Sequence, residues 1–254
     1  FSEDGIEWVT ERFKEILRGK SFLSMGKYGE EFEKQFSRYI GTKDAVACSS
    51  GTSSLEMIFR GLNIQGKEVI IPSNTFIATA LSVINAGGIP VFCECESNLC
   101  IDCIDVERKI TKNTAAVVVV HIGGLVSATV LDVKRLCEEN DLFLVEDAAQ
   151  AHGSGLNGVR AGRFGIAAGF SFFSTKLMTM GEGGIVTTDN HELATKMRSL
   201  REFGKVKKGI YANYHEDFGY NWRMPEISAL LGLKQLEAIG DNILRRQEIA
   251  RIYN

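Results

Sequence analysis

Three polar segments of this chain carry side chains suited to one kind of chemistry. Cys48-Ser49-Ser50-Gly51-Thr52-Ser53-Ser54 leads into a stretch of helical period, Glu146-Asp147-Ala148-Ala149-Gln150 follows an apolar run, and Ser171-Phe172-Phe173-Ser174-Thr175-Lys176 precedes the glycine-flanked Gly181-Glu182-Gly183-Gly184. Taken singly each has an ordinary explanation: a helix N-cap, a solvated strand end, a surface lysine. Together they meet the needs of a phosphorylated aldehyde cofactor, which requires an anion cradle, a carboxylate for its pyridine nitrogen and a lysine amine for its aldehyde. Gly51 and Thr52, at a helix N-terminus, would present free N–H groups and the positive end of the helix dipole to a phosphate dianion. Ser171, five residues before Lys176, can add a hydroxyl. Strand alternation sends Glu146 and Asp147 to opposite sides, so one of the two enters the pocket, and the period alone does not say which. A buried carboxylate that faces a protonated ring nitrogen is paired; one with no partner is costly to bury. Lys176 is the residue whose amine could bond to the aldehyde.

The elements that must hold these groups are legible in the hydrophobic pattern. Short runs rich in Val, Ile and Phe at positions 68–71, 89–93, 115–121, 142–145, 168–173 and 184–188 read as strands. Between them Leu55, Ile58, Phe59 and Leu62 fall at helical spacing, and Ile77, Leu81 and Ile84 repeat it, so both stretches read as amphipathic helices. Val117 to Val120 and Leu142 to Val145 show no polar alternation, which requires cover on both faces. The fold class is therefore α/β, with a mostly parallel sheet flanked by helices, and ligands are expected at the C-terminal ends of strands. From Met197 onward the pattern turns helical and more charged, interrupted by a Gly-, Asn- and aromatic-rich loop from Gly204 to Trp222.

Composition narrows the class further. The 254 residues are 44% hydrophobic and 24% charged, close to average globular usage. Lys plus Arg number 29 against 32 acids, which leaves no surplus of positive charge for a nucleic acid. The longest uncharged run, Thr114 to Leu131, contains His121, Gly123, Gly124 and Ser127 and does not read as a membrane span. Six cysteines without a secretory signal suggest a reducing, cytoplasmic setting. The chain stops at Ile252-Tyr253-Asn254, inside what reads as a helix continuing from Glu226, and so reads as a fragment.

Several signals point elsewhere and are weaker. Gly153-Ser154-Gly155-Leu156-Asn157-Gly158 fits a dinucleotide-binding spacing, but no helix pattern follows and position 178 is Met178 where an acid is needed, so an irregular loop is expected. Cys93, Cys95, Cys100 and Cys103 have a spacing that could ligate zinc or an iron–sulfur cluster. The plainer reading, with no metal, is that Cys93 and Cys95 share a strand face and pack as small hydrophobes. His121, His152, His191 and His215 are expected to be hydrogen-bonded structural residues, with His121 and His152 open as pocket residues because they follow strands. Lys27, Tyr28 and Tyr214 are candidate substrate contacts.

The ordered set of motifs identifies a relative. Ser50-Gly51-Thr52, Pro72 to Thr79, Glu146 to Gly153, Phe170 to Lys176, Gly181 to Gly184 and Gly219-Tyr220-Asn221-Trp222-Arg223-Met224 resemble the DegT/DnrJ/EryC1/StrS family from about Gly26 to the end. The family consists of pyridoxal phosphate-dependent sugar aminotransferases of fold type I. The resemblance implies a three-layer large domain like that of aspartate aminotransferase, spanning residues 1–254 with an N-terminal segment. It also implies transfer of an amino group, from L-glutamate, to a keto group of a nucleotide-linked sugar, in a homodimer with a shared active site.

Residue by residue, the resemblance selects Asp147 for the pyridine nitrogen and sets Gln150 beside the ring. It places Phe76 on the cofactor face, Gly51, Thr52 and Ser171 on the phosphate, and Lys176 on the aldehyde as catalytic base and acid. Asn221 is expected to reach the phosphate of the neighbouring subunit. Two departures stand out. Family members usually continue into a smaller C-terminal domain, which this chain is expected to lack, and the cysteine-rich stretch from Cys93 to Cys103 replaces a segment that is usually acidic and apolar. Relatives with a His at the Schiff-base position act as sugar dehydratases or deoxygenases, and a non-catalytic homologue is a further alternative; Lys176 favours transamination.

Overall fold

The computed structural model describes residues 1–208 and 211–253. Helices α1 (Glu3–Glu15) and α2 (Lys27–Ile40) lead into β1 (Asp44–Cys48), α3 (Gly51–Gly61), β2 (Glu68–Pro72), α4 (Ile77–Asn85) and β3 (Ile89–Cys93). Then come α5 (Cys103–Lys109), β4 (Thr114–Val120), α6 (Thr129–Glu139), β5 (Phe143–Asp147), the short strands β6 (Gly155–Leu156) and β7 (Val159–Arg160), β8 (Ala167–Ser171) and β9 (Gly184–Thr188). The chain closes with α7 (His191–Leu200), β10 (Lys205–Lys208), β11 (Tyr211–His215), α8 (Glu226–Glu237) and α9 (Ile239–Tyr253).

Seven strands form one sheet in the order β1-β9-β8-β5-β4-β2-β3. The neighbours from β8 to β3 pair in parallel, and β9 runs antiparallel to both β8 and β1. This is the expected α/β class with a mostly parallel sheet. Alternation along β4 splits its side chains between the two faces. Val117 and Val119 pack in one buried cluster with Phe170, Phe172 and the α2 residues Phe32 and Phe36, while Ala116, Val118 and Val120 pack in another with Leu55, Ile58 and Phe59 of α3. Three layers result, because a strand that is apolar on both faces needs a helix on each.

Four expectations about the elements need correction. Asp44–Cys48 is a strand that its short Ala-Val-Ala-Cys run did not announce. The supposed irregular loop after His152 is a small hairpin, β6–β7, turned by Asn157 and Gly158 at φ 52° and 78°; two successive left-handed residues give the turn whose twist matches paired strands. The stretch from Gly204 to Trp222 contains the antiparallel pair β10–β11, with positions 209 and 210 outside the described residues. The helix from Glu226 is broken at Ala238, so α8 and α9 are separate.

A fifth correction concerns which way α4 faces. Its apolar stripe, Ile77, Leu81 and Ile84, is exposed, and its buried side carries Thr79, Ala80, Ser82 and Val83. The helix period is right, but the inward face carries hydroxyls. Among the described residues no helix is long and apolar enough to cross a membrane.

Candidate active site

The C-terminal ends of β5 and β8 and the N-termini of α3 and α4 meet around a cavity of about 440 Å³, a size that suits a small organic ligand. Its walls include Gly51, Thr52, Phe76, Asp147, Gln150, Ser171 and Lys176, seven of the eight residues expected from the sequence. Asn221 is not among the lining residues; it is exposed, and its backbone bridges to Glu202.

The helix start expected to cradle an anion is built by capping. Ser50 caps α3, its hydroxyl accepting the Ser53 N–H at 3.0 Å, while Ser53 Oγ accepts the Ser50 N–H at 2.9 Å. This reciprocal cap satisfies two donors and leaves the N–H groups of Gly51 and Thr52 with no hydrogen bond among the described residues. Gly51 lies so close to β8 that an added Cβ would stand 2.7 Å from Ser171 Cβ. Gly184, on the neighbouring strand, makes a similar approach to the Ser50 carbonyl, 2.1 Å from where a Cβ would lie. Both glycines let the start of α3 sit down on the sheet, which is what brings free N–H groups and the Ser171 hydroxyl to one wall.

β5 settles the choice between its two carboxylates. Glu146 and Asp147 are the last two residues of the strand and point to opposite faces. Glu146 is fully buried away from the cavity. Its Oε2 accepts from the Gly162 N–H at 2.7 Å and pairs with His121 Nε2 at 2.9 Å. Its Oε1 accepts from the N–H groups of Phe164 at 2.7 Å and Gly165 at 2.9 Å. Those contacts fold the segment before β8 against β5 and hold the His121 ring at the cavity wall, so Glu146 is a structural clamp. Asp147 faces the cavity, its Oδ2 accepting from Thr79 Oγ1 at 2.7 Å and its Oδ1 from the Ala149 N–H at 3.1 Å. Burial pushes its carboxyl up from the usual range. Those two hydrogen bonds, and then the charges of His121 and Lys176, oppose the shift without cancelling it. A buried carboxylate in that condition is relieved by a cationic N–H in the cavity.

Lys176 is held on a loop between β8 and β9. The loop is folded on itself by the Phe172 N–H to Gly183 O, the Met180 N–H to Phe172 O and the Lys176 N–H to Phe173 O, each at 2.9 Å. Phe172, Met178 and Met180 are buried and anchor it, which leaves the half-buried Lys176 facing the cavity with Thr175 and Glu182. Phe76 stands 69% exposed at the cavity rim as the N-cap residue of α4. Gln150 also lines the cavity, its Oε1 accepting the Gly123 N–H at 2.9 Å.

Of the other candidates, one lines the cavity and the rest fall outside it. His121 lines the cavity but is engaged by Glu146. His152 is buried between Phe170 and Phe172, ring centroids 5.6 and 5.4 Å away, and neither of its nitrogens has a hydrogen-bond partner among the described residues, contrary to the expectation of a satisfied histidine. Burial, then the nearby Lys176 charge, hold it neutral by pushing its pKa down to about 3; the Ser171 backbone opposes this weakly, at a geometry short of a hydrogen bond. His191 pairs with Asp44, and His215 with the Phe203 carbonyl, at 2.9 Å each. Tyr28 belongs to the core, so it is no substrate contact; Lys27 lies over its ring, and Tyr214 is exposed on β11. Cys93 ends β3 and is buried, but Cys95 lies beyond the strand, half-buried beside Ser73, so the two do not share a strand face. Thr75 and Thr79, which sequence reasoning passed over, stand at i and i+4 just around Phe76, a spacing that could have drawn attention to them.

The arrangement unites an amine, a buried carboxylate with no ion-pair partner among the described residues and two free helix N–H groups. That donor set fits a molecule with a phosphate, a protonatable ring nitrogen and an electrophilic carbon. The profile of the DegT/DnrJ/EryC1/StrS aminotransferase family matches residues 4–254. The GDP-perosamine synthase of Vibrio cholerae is 38% identical over 232 residues, covering 91% of this chain and 62% of that protein. Helicobacter pylori PseC, an aminotransferase involved in the biosynthesis of pseudoaminic acid, superposes with a TM-score of 0.87 at 31% identity, over 94% of this chain and 64% of that one. NtdA from Bacillus subtilis with bound cofactor PMP superposes with a TM-score of 0.84 at 29% identity, over 94% of this chain and 54% of that one. The chain thus spans a little under two thirds of the length of the Vibrio cholerae relative.

Proposed function

The chain belongs to the DegT/DnrJ/EryC1/StrS aminotransferase family, and from that premise we propose that it is the pyridoxal phosphate-binding domain of an enzyme that moves an amino group from L-glutamate to a keto group of a nucleotide-linked sugar. The observation that carries this reading is the meeting of Lys176, Asp147 and the free N-terminus of α3 in one cavity. Bound there, pyridoxal phosphate supplies an aldehyde and an electron-withdrawing ring.

Each residue then has a task. The N–H groups of Gly51 and Thr52 and the hydroxyl of Ser171 bind the phosphate. Asp147 keeps a proton on the ring nitrogen, and its own buried charge is relieved by doing so. Phe76 covers the ring and excludes water from that side, while Gln150 orients it. Lys176 Nζ would hold the cofactor through its aldehyde and, once the donor's amino group has taken its place, would serve as the free base that removes the α-proton and the acid that returns it. A lysine at this position, not a histidine, favours amino transfer over dehydration.

Two further features support a homodimer with a shared site. Ile77, Leu81 and Ile84 present an exposed apolar face on α4 directly beside the cavity, where a second copy would cover it. Asn221, exposed and away from the cavity of its own chain, would reach the phosphate bound by the partner. The six cysteines form no disulfide, which fits a reducing, cytoplasmic setting.

Spectroscopy of the complete protein tests the assignment. With pyridoxal phosphate it should develop the visible absorbance of a lysine-linked cofactor, L-glutamate should convert this to the pyridoxamine form, and Lys176→Ala should lack both signals. Absence of the band, or a band unchanged by the substitution, refutes the reading. Sedimentation of the same preparation should show a dimer; a monomer that binds the cofactor fully overturns the shared site.

A further inference from the structure

Asp147 is held by a hydroxyl from another element. Thr79 lies in the first turn of α4, fully buried, and its Oγ1 donates to Asp147 Oδ2 at 2.7 Å across 68 positions of sequence. An ionised carboxylate can only accept, so the one hydroxyl proton of Thr79 is committed to Asp147. Thr79 Oγ1 must then accept in its contact with Thr75 Oγ1, also 2.7 Å long. Thr75 itself lines the cavity. The result is a directed line of donors, Thr75 to Thr79 to Asp147.

We propose that Thr79 is a positioning residue, whose hydroxyl, oriented by Thr75, holds the Asp147 carboxylate turned toward the ring nitrogen of the cofactor and ready to keep that nitrogen protonated. The inference rests on the pyridoxal phosphate reading above. A threonine in a helix commonly returns its hydroxyl to a carbonyl of the preceding turn; this one reaches out to the sheet. The inward face of α4 carries hydroxyls where its period would allow apolar side chains, and Thr79 explains one of them. Titratable groups also face Asp147 from two other elements, His121 just after β4 and Lys176 on the loop after β8. Neither contributes a hydrogen bond to its carboxylate. Its other bond comes from the backbone of Ala149, so Thr79 is the side chain that sets its orientation. The same turn of helix begins at Phe76, so a single element aligns the residue over the ring and the residue at its nitrogen.

The test compares Thr79→Val, which keeps the shape and removes the hydroxyl, with Thr79→Ser, which keeps the hydroxyl, in the full chain. Two quantities are read: the pyridoxal phosphate dissociation constant, and the midpoint of the Asp147 carboxyl titration, followed by carbon-13 NMR without cofactor. Loss of one hydrogen bond to a charged acceptor should weaken binding about ten- to a hundredfold. In Thr79→Val the Asp147 midpoint should rise above that of the parent, and Thr79→Ser should restore both values. Parent-like affinity and midpoint in Thr79→Val, or no restoration by Thr79→Ser, overturns the proposal. If the parent binds no pyridoxal phosphate the functional reading fails, and the titration still judges Thr79. Should Thr79→Val not fold, Thr75→Val breaks the line one step earlier, outside the buried face, and should raise the midpoint by a smaller amount; no rise overturns the proposal.

Discussion

Glu146 and Asp147 are neighbouring carboxylates with different tasks, and replacing Glu146 tests that division. Glu146 is fully buried and accepts from three backbone N–H groups, those of Gly162, Phe164 and Gly165, and from His121 Nε2. Truncation to alanine strands four donors. A stranded buried donor costs about 1–3 kcal/mol, so with no relaxation the loss would reach about 4–12 kcal/mol. The segment that carries three of the donors precedes β8 and can shift toward water, and removing one partner of a buried charged pair typically costs about 3–5 kcal/mol. The expected loss for Glu146→Ala is therefore about 4 kcal/mol, a large share of the stability of an ordinary domain. It corresponds to a fall in Tm of roughly 8–16 °C for a chain of this size. Glu146→Gln keeps one carbonyl oxygen for Phe164 and Gly165, and His121 can change tautomer to accept from the new amide, which leaves the Gly162 N–H facing a donor. Its loss should be about half as large. Urea denaturation of the full chain without cofactor, followed by fluorescence and circular dichroism, measures both. A Glu146→Ala protein within about 1 kcal/mol of the parent, or a Glu146→Gln protein equally damaged, refutes the clamp.

Gly51→Ala should push the start of α3 off β8, because its new Cβ would stand 2.7 Å from Ser171 Cβ, where carbon contacts sit at about 3.5–4.0 Å. Overpacking of that size costs about 1–3 kcal/mol, and a titration with pyridoxal phosphate should show affinity reduced at least about tenfold; binding within about twofold of the parent would contradict the close-approach argument. His152 has a folded-state pKa of about 3 against an ordinary 6.5. The depressed value means that its neutral form supports the fold above the ordinary pKa and that this support is lost as pH falls toward the lower one. Thermal melts without cofactor should show the parent losing stability through that acid window and His152→Leu losing less, and superimposable pH profiles would rule the effect out.

Local chemistry explains why some parts of the site were legible before any fold was known. A Ser-Gly-Thr helix start, a lysine five residues after a serine and a polar pair ending an apolar run each declare a chemical capacity in a few adjacent residues, and their order narrows the ligand. The choice between Glu146 and Asp147 was not legible from strand period, which fixes that the two diverge but not which side holds the cavity; only the family resemblance pointed to Asp147. The inverted face of α4 was hidden for the same reason, since Ile77, Leu81 and Ile84 mark one side of a helix without saying whether the core or another surface will cover it. β1 escaped notice because five residues paired to a distant strand, β9, carry little periodicity of their own.

The amino-acid order alone determined the α/β class and the kind of ligand, because both follow from the residue types and the periods of short segments. Folding decided which carboxylate faces the cavity, which one ties the sheet to its loops and which threonine bonds to the first. Those roles depend on contacts such as Thr79 to Asp147, between groups far apart along the chain, and a hydrogen bond of that kind exists only once packing has brought donor and acceptor within reach.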